Sequence, residues 1–557
     1  MIGFALIYQL FSLQILKHDF YKNLADNQHQ ADRILFPKRG EIFIKDRFYG
    51  LDDSSQFFPL AVNKEWPMVY AIPKEIESAE ETAKILAPLL EIDQEILKEK
   101  MDKKDDPYEP LKHKLSSGIV EKIKELDIEG IKFITENLRY FPSDSLASQV
   151  IGFVGYSNDE RVGQYGLEGY YNKKLRGKQG FLNGEKDNQG RLIAVAESYS
   201  QPAEDGTNLI LTIDTNLQFF VEKELNEVAE RLGAQGGTVI VTETQTGAIK
   251  AMANWPVFNL NKYSEVEDIK VFLNPAIHDL FEPGSIFKPI TMAAALDKKL
   301  LGPDTTYEDK GFVKIGATTI HNSHDQPEGV QTMTQVLEKS LNSGAVFVQQ
   351  LIGKKVFRDY LEKFGFSKET GIDLENETRG NISNLNSKGD VEYATASFGQ
   401  GIAITPIELA MAMGAIANKG ELMKPYLVEK FIYSNGNEET TKPKIVGRPI
   451  SKGTAEKLTK MMVSVVENGY GKKAKVSGYF IAGKTGTAQV PNTDKRGYSD
   501  ETIHSFGGFF PAFNPRFLIL VKLDNPHGIR FAADSIAPVF REIAKYIINY
   551  YEIAPSR

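Results

Sequence analysis

The sequence predicts an α+β protein built from more than one module. At roughly 150 residues per domain, its 557 residues exceed what one compact fold usually holds. Hydrophobic residues make up 41% and charged residues 25%, so there is ample apolar material for a sizeable core, and global disorder is excluded. Period-two runs also alternate along the chain with runs of helical spacing, so neither an all-α nor an all-β fold fits.

The N-terminal stretch IGFALIYQLFSLQIL, Ile2 to Leu16, is apolar and uncharged but shorter than the roughly 20 residues that cross a bilayer as a helix. Residues 1–18 are therefore expected to be a short apolar helix, the end of a membrane anchor. Residues 19–202 read as an α+β module in which extended patterns such as EIFI and PMVYAIP give way to Lys/Glu-rich helical stretches around Glu77 to Leu126. The segment YSQPAEDGTN gathers Pro, Gly, Ser and Asp and marks a boundary near residue 203.

A second module is expected over residues 203–557. Its NLILTID alternates like a strand, and LQFFVEKELNEVAERLG has helical spacing and stops at Gly233. GTVIVTETQTGAIKAMAN reads as two strands about a turn at Gln245 to Gly247. Near the end, FLILVKL is a strand pattern and APVFREIAKYIINYYEI a terminal helix that can pack on the sheet.

Several chemistries are set aside. A net charge of −8, from 66 Lys plus Arg against 74 Asp plus Glu, disfavours nucleic acid as a partner. With no cysteine there is no disulfide framework, thiolate metal site or Cys nucleophile. The tightest histidine pair, His321 and His324 in IHNSHD, lies among polar turn residues, and neither a metal nor a cofactor is expected.

Three short motifs carry chemistry. FEPGSIFKPIT holds Ser285 and Lys288, the one S-x-x-K of the chain, after a Pro-Gly turn and ahead of an apolar run. Residues three apart share a helix face, so the Lys288 amine can reach the Ser285 hydroxyl. A partly desolvated lysine can act as the base that such a hydroxyl needs. LEKSLNSG then offers Ser340 and Asn342, a hydroxyl to relay a proton and an amide to hold substrate and lysine. YFIAGKTGTAQV places Lys484, Thr485, Gly486 and Thr487 on a strand-like stretch. An edge strand can pair with an extended peptide, Gly486 permits close approach, and the amine and hydroxyls suit a terminal carboxylate. Each motif alone is an ordinary turn or helix start. In the order S-x-x-K, S-x-N, K-T-G, spaced by 55 and 144 residues, they form a set that chance rarely supplies.

That set resembles the signature of penicillin-recognising serine acyltransferases. RGEIFIKDR from Arg39 is similar to the R-G-x-I-x-D-R box of class B penicillin-binding proteins, and YFPSDSLASQVIGFVG and YGLEGYYNKKLRGKQG resemble later parts of the same N-terminal module. DGTNLILTIDTNLQ, SFGQGIAITPIELA and HSFGGFFPAFNPR are similar to stretches of the family's transpeptidase domain, so the likeness runs from about Tyr21 to the end. The region His504 to Pro515 and the closing APVFREIAKY lean toward the septal, cell-division branch.

The resemblance implies a peptidoglycan D,D-transpeptidase anchored in the bacterial cell membrane with its bulk outside the cytoplasm. An elongated pedestal of the dimerisation type would precede a penicillin-binding domain whose five-stranded antiparallel sheet lies between helical layers. Ser285 would attack the penultimate D-Ala carbonyl of a stem peptide and Lys288 would be the base. Ser340 and Asn342 would assist, Lys484, Thr485 and Thr487 would bind the carboxylate, and the Ser285 and Thr487 N–H groups would form the oxyanion hole. An acceptor amine would complete the cross-link, and β-lactams would trap Ser285. A SEDS-type glycosyltransferase and other division proteins are the implied partners.

The Arg39 box departs from the family pattern, with two additional residues before Asp46 and Phe48-Tyr49 where Asn is usual. Two other readings stay open. One is a hydrolase, sensor or D,D-carboxypeptidase, although E-x-x-L-N begins only at Glu222 and Glu338, not beyond the S-x-N where a deacylating glutamate belongs. The other is a non-catalytic division scaffold.

Overall fold

The computed structural model describes residues 30–45, 57–157, 160–185, 199–323, 326–492 and 497–556. The apolar stretch expected as an N-terminal helix, together with Asp46, Phe48, Tyr49 and His324, lies outside them. Among the described residues no helix is long and apolar enough to cross a membrane.

The chain divides into two compact units. The smaller is 61–142. The strand that runs to Ala71 pairs antiparallel with Ile131–Tyr140 and Glu109–Lys112, from Val62 opposite Tyr140 to Ala71 opposite Ile131. The helices expected between Glu77 and Leu126 are Ala79–Leu90, Gln94–Met101 and Ser117–Glu125. Ser78 caps the first by accepting from Glu81 N–H, and Leu86, Leu90, Leu97, Met101 and Ile123 bury their side chains against Val69 and Ala71.

The larger unit comprises the remaining described residues. EIFI and NLILTID become Ile42–Lys45 and Asn208–Asp214, paired in parallel. The latter strand thus belongs with the N-terminal segment and not to the central sheet. Asp214 then accepts from Leu217 N–H to start α1 (Thr215–Arg231), and Gly233, at φ +56°, lies just beyond that helix.

The central sheet takes β1 (Gly236–Glu243) and β2 (Ile249–Trp255) from the expected hairpin. α2 (Lys288–Asp297), α3 (Asn342–Ile352), α4 (Pro406–Ala417) and α5 (Lys452–Glu467) follow. Then come β3 (Ala482–Pro491), β4 (Tyr498–Phe510), β5 (Phe517–Asp524), α6 (Ala532–Ser535) and α7 (Ala537–Tyr550). The spatial order is β2-β1-β5-β4-β3, antiparallel throughout, which leaves β3 at an edge.

Helices cover both faces of this sheet. On one face Leu217, Val221 and Leu225 of α1 and Phe540, Ile543 and Ile547 of α7 pack with Val239, Val241, Phe506, Ile519 and Val521. On the other lies α4, all twelve of whose residues are buried and whose start is fixed by a capping box between Thr405 and Glu408. Adjacent glycines on β4 show how close the layers come. A Cβ on Gly507 would lie 2.5 Å from the Met413 sulfur, and one on Gly508 3.0 Å from the Phe540 ring. Successive strand residues face opposite ways, so the two glycines admit one helix on each side.

The Arg39 box has a structural role in this unit. Arg39 donates from Nε and Nη2 to Glu168 Oε2 at 2.8 and 2.5 Å, and from Nη1 to Asn172 Oδ1 at 2.9 Å. The Glu168 side chain is fully buried and that of Arg39 nearly so. The pair thus ties RGEIFIKDR to YGLEGYYNKKL, two segments 129 residues apart in sequence. Removing one member strands a buried charge. Glu168→Ala is expected to cost about 3–5 kcal/mol. The double change Arg39→Met with Glu168→Leu should cost clearly less. Thermal denaturation of the full chain and the variants checks both, and equal losses would contradict a paired role.

Candidate active site

SFGQG builds the turn that carries Ser285. Gly284 N–H donates to Gly399 O at 2.9 Å, Thr291 Oγ1 donates to Ser397 O at 2.7 Å, and Gly401 N–H donates to Glu282 Oε1 at 3.0 Å. Ser285 sits, half-buried, in the 3-10 turn Gly284–Phe287, and α2 begins only at Lys288. The serine thus precedes the helix by one turn instead of lying on it. In a 3-10 turn residues three apart are eclipsed, so Lys288 stays on the face that carries Ser285. Its Nζ donates to Ser340 O at 2.5 Å and to Ser340 Oγ at 3.2 Å, bonds of which the i, i+3 spacing gives no sign.

Ser340 lies between the helix Met333–Glu338 and α3, with φ +56°, a left-handed conformation that a non-glycine residue holds only when its surroundings enforce it. Its hydroxyl is also the target of the second lysine. Lys484 Nζ donates to Ser340 Oγ at 3.0 Å and to Thr485 O at 3.0 Å. Lys288 and Lys484 are 1% and 0% exposed. Burial, with the neighbouring Lys484 adding to it, holds Lys288 well below the ordinary lysine range, and burial pulls Lys484 down to about 7. With both amines donating to it, the Ser340 oxygen has its two lone pairs engaged and its own proton free to be given elsewhere.

Asn342 opens α3, and its Nδ2 donates to His321 O at 2.8 Å, not to either lysine. Sequence reading missed the network that holds this helix start. Ser343 N–H donates to Asn322 Oδ1 at 3.1 Å, Ser343 Oγ donates to Asp309 Oδ1 at 2.5 Å, and Asn322 Nδ2 donates to Asp309 at 3.0 Å. The IHN segment therefore contributes a backbone carbonyl and an amide here. Among the described residues no His, Asp or Glu cluster is placed to hold a metal.

Lys484, Thr485, Gly486 and Thr487 lie on the edge strand β3, opposite Gly507, Phe506, Ser505 and His504. A Cβ on Gly486 would stand 2.9 Å from Pro283 O and 2.3 Å from Ser505 Oγ, so this glycine lets β3 lie against the Ser285 turn. The half-buried Thr487 accepts from Ala532 N–H at Oγ1, 3.0 Å away. Neither E-x-x-L-N glutamate bonds with these groups. Glu222, pushed up to about 7 by burial, accepts from Ala147 N–H and Gln218, and Glu338 accepts from Ser464.

The site therefore assembles a half-buried serine, a buried lysine that burial favours as a free base, a hydroxyl positioned to relay protons, and an edge strand. Such a set can transfer an acyl group.

Comparison with known proteins agrees with this chemistry. Residues 237–545 match the penicillin binding protein transpeptidase domain, and residues 35–211 the penicillin-binding protein dimerisation domain. The chain is 32% identical over 552 residues to stage V sporulation protein D of Bacillus subtilis, covering 98% of this chain and 83% of the relative. It is 31% identical to the peptidoglycan D,D-transpeptidase FtsI homolog of Mesostigma viride, covering 99% and 94%. Among solved structures it is similar to a peptidoglycan synthetase from Bifidobacterium adolescentis, with TM-score 0.73, 25% identity, and 95% and 98% coverage. The fold is also that of penicillin binding protein 3 from Mycobacterium tuberculosis complexed with aztreonam, with TM-score 0.72, 24% identity, and 94% and 98% coverage.

The depressed Lys484 gives stability a pH dependence. Between about 7 and 10.5 the unfolded chain holds a proton on this lysine that the folded chain does not, so its contribution makes stability rise with pH across that window. Lys484→Met is expected to flatten that rise by a few kcal/mol, since each pKa unit corresponds to about 1.4 kcal/mol. Denaturation at pH 7 and pH 10 checks this, and parallel curves for the two proteins would contradict it.

Proposed function

The chain belongs to the penicillin-binding protein transpeptidase family, and from that premise we propose that Ser285 is the nucleophile of a peptidoglycan D,D-transpeptidase. The single observation that supports this reading best is the convergence of two buried lysine amines on the Ser340 hydroxyl, beside the turn that carries Ser285.

Catalysis follows from these placements. Lys288, as free amine, accepts the Ser285 proton while Oγ attacks the penultimate D-Ala carbonyl of a donor stem peptide. The Ser285 and Thr487 N–H groups receive the developing oxyanion. Ser340 gives its proton to the departing D-Ala amine and is reprotonated from Lys288, so the proton taken from Ser285 leaves with the terminal D-Ala. Lys484, Thr485 and Thr487 bind the carboxylate of that residue, with Gly486 keeping the strand open to the peptide. Asn342, fixed by His321 O, presents its remaining amide functions to the donor backbone. An acceptor amine then attacks the acyl-enzyme, forming the cross-link and returning Ser285 Oγ to its hydroxyl. A β-lactam, which mimics D-Ala-D-Ala, acylates Ser285 and leaves no departing amine.

In this reading 1–18 is the end of a membrane anchor, 19–202 a pedestal and 203–557 the catalytic domain, held outside the cytoplasm and acting in septal wall synthesis. A SEDS-type glycosyltransferase supplies the glycan strands, and other division proteins meet the pedestal. A hydrolytic role is not favoured, since Glu222 and Glu338 are bonded elsewhere.

Incubation of the protein with a fluorescent penicillin, followed by intact mass and peptide mapping, tests the assignment. A persistent adduct on Ser285, absent in Ser285→Ala and formed at least about 100-fold more slowly in Lys288→Ala, is expected. The acylation rate should climb with pH and level off well below 10.5, because Lys288 loses its proton below the ordinary lysine range. Rapid turnover of the drug would indicate a hydrolase. No adduct on folded protein would overturn catalysis and leave a scaffold.

A further inference from the structure

The geometry points to the backbone N–H of Ala532 as the positioning group that aims the Thr487 hydroxyl at the substrate carboxylate. This inference rests on the reading of Thr487 as a carboxylate ligand and deepens it.

A threonine hydroxyl has one proton and three staggered directions in which to place it, and free rotation would leave it aimed at a substrate only part of the time. Ala532 N–H fills one of those directions by donating to Thr487 Oγ1 at 3.0 Å. The proton is thereby excluded from that direction and left in the two that remain, so less rotational freedom is lost when a carboxylate is bound.

The donor is itself anchored. Ala532 is the first residue of α6, it is fully buried, and Phe531 before it is extended at φ −127°, ψ 142°. At the other end of the same turn, Ser535 Oγ bonds His504 Nδ1 at 2.7 Å, and His504 is the cross-strand partner of Thr487. The His504 ring is fully buried, with Thr502 Oγ1 3.2 Å from its Nε2, and burial lowers it to about 4, so this end of the clamp is an uncharged ring bonded on both sides. α6 is thus tied to β3 by its first N–H and to β4 by its last side chain. Ile536 and Ala537, just beyond, are fully buried in the core beneath the sheet.

Position 532 permits a selective test. Proline is tolerated at the first position of a helix, and an extended preceding residue suits it, so Ala532→Pro removes the N–H with little disturbance of the turn. Acylation rates are measured with a penicillin and with the same penicillin esterified at its carboxylate, for wild type, Ala532→Pro, Thr487→Val and the double variant. Ala532→Pro should slow the acid about tenfold and the ester less than twofold, and Thr487→Val should do the same. The double variant should be no slower than Thr487→Val alone. If Thr487→Val leaves the acid-to-ester ratio unchanged, the reading of Thr487 as a carboxylate ligand fails. If Thr487→Val changes that ratio but Ala532→Pro does not, or if Ala532→Pro slows acid and ester alike, the positioning inference fails by itself. Should Ala532→Pro not fold, Ala532→lactic acid, which exchanges only the N–H for an ester oxygen, carries the same expectations.

Discussion

Two lysine amines buried against one serine hydroxyl set the terms for the rest of this molecule. Two ammonium groups taken out of water and brought to a common oxygen repel each other and lack solvent to screen them. The fold relieves that cost by favouring the neutral state of both, and the same relief provides a base. Lys288 and Lys484 come from segments nearly 200 residues apart, so the arrangement exists only when the helical layer and the sheet edge are both in place. Ser340 is held between them in a left-handed conformation, where its backbone carbonyl and its hydroxyl both serve as acceptors.

The architecture around this point is a set of devices for keeping three segments in register. SFGQG pins the Ser285 turn by accepting from Gly284 N–H at Gly399 O and donating from Gly401 N–H to the Glu282 carboxylate, and the absence of a side chain at Gly486 lets β3 lie against that turn. Asp309, Asn322 and Ser343 fix the start of α3. On the far side α6 bridges β3 and β4. Among the described strands β3 is the edge of the sheet, a position that can pair with an extended chain, and these supports hold it beside the Ser285 turn.

Much of this was legible in the sequence where local pattern decides structure. The hairpin of β1 and β2, the helix ending before Gly233, β5 and the terminal helix follow from periodicity and turn residues, and the five-stranded sheet between helical layers follows from the resemblance. Three features were not legible, each for a reason of long-range geometry. Spacing within FEPGSIFK suggests a helix that carries both Ser285 and Lys288, but a 3-10 turn carries the serine, and the bond from Lys288 to Ser340, 52 residues away, has no local signal. NLILTID has the alternation of a sheet strand without any sign of which sheet it joins. The supports at Asp309, Asn322, Ala532 and Ser535 are ordinary residues in ordinary turns, and backbone groups such as His321 O and Ala532 N–H leave no mark in sequence at all.

In this arrangement both buried lysines are held as free amines while the Ser340 proton points away from them. Neutron diffraction from deuterium-exchanged crystals of the unliganded protein at about pH 9 observes this directly. Two deuterons are expected on each of Lys288 Nζ and Lys484 Nζ, with the Ser340 deuteron directed toward neither amine. Three deuterons on Lys288 Nζ, as an ordinary lysine carries at that pH, would contradict it.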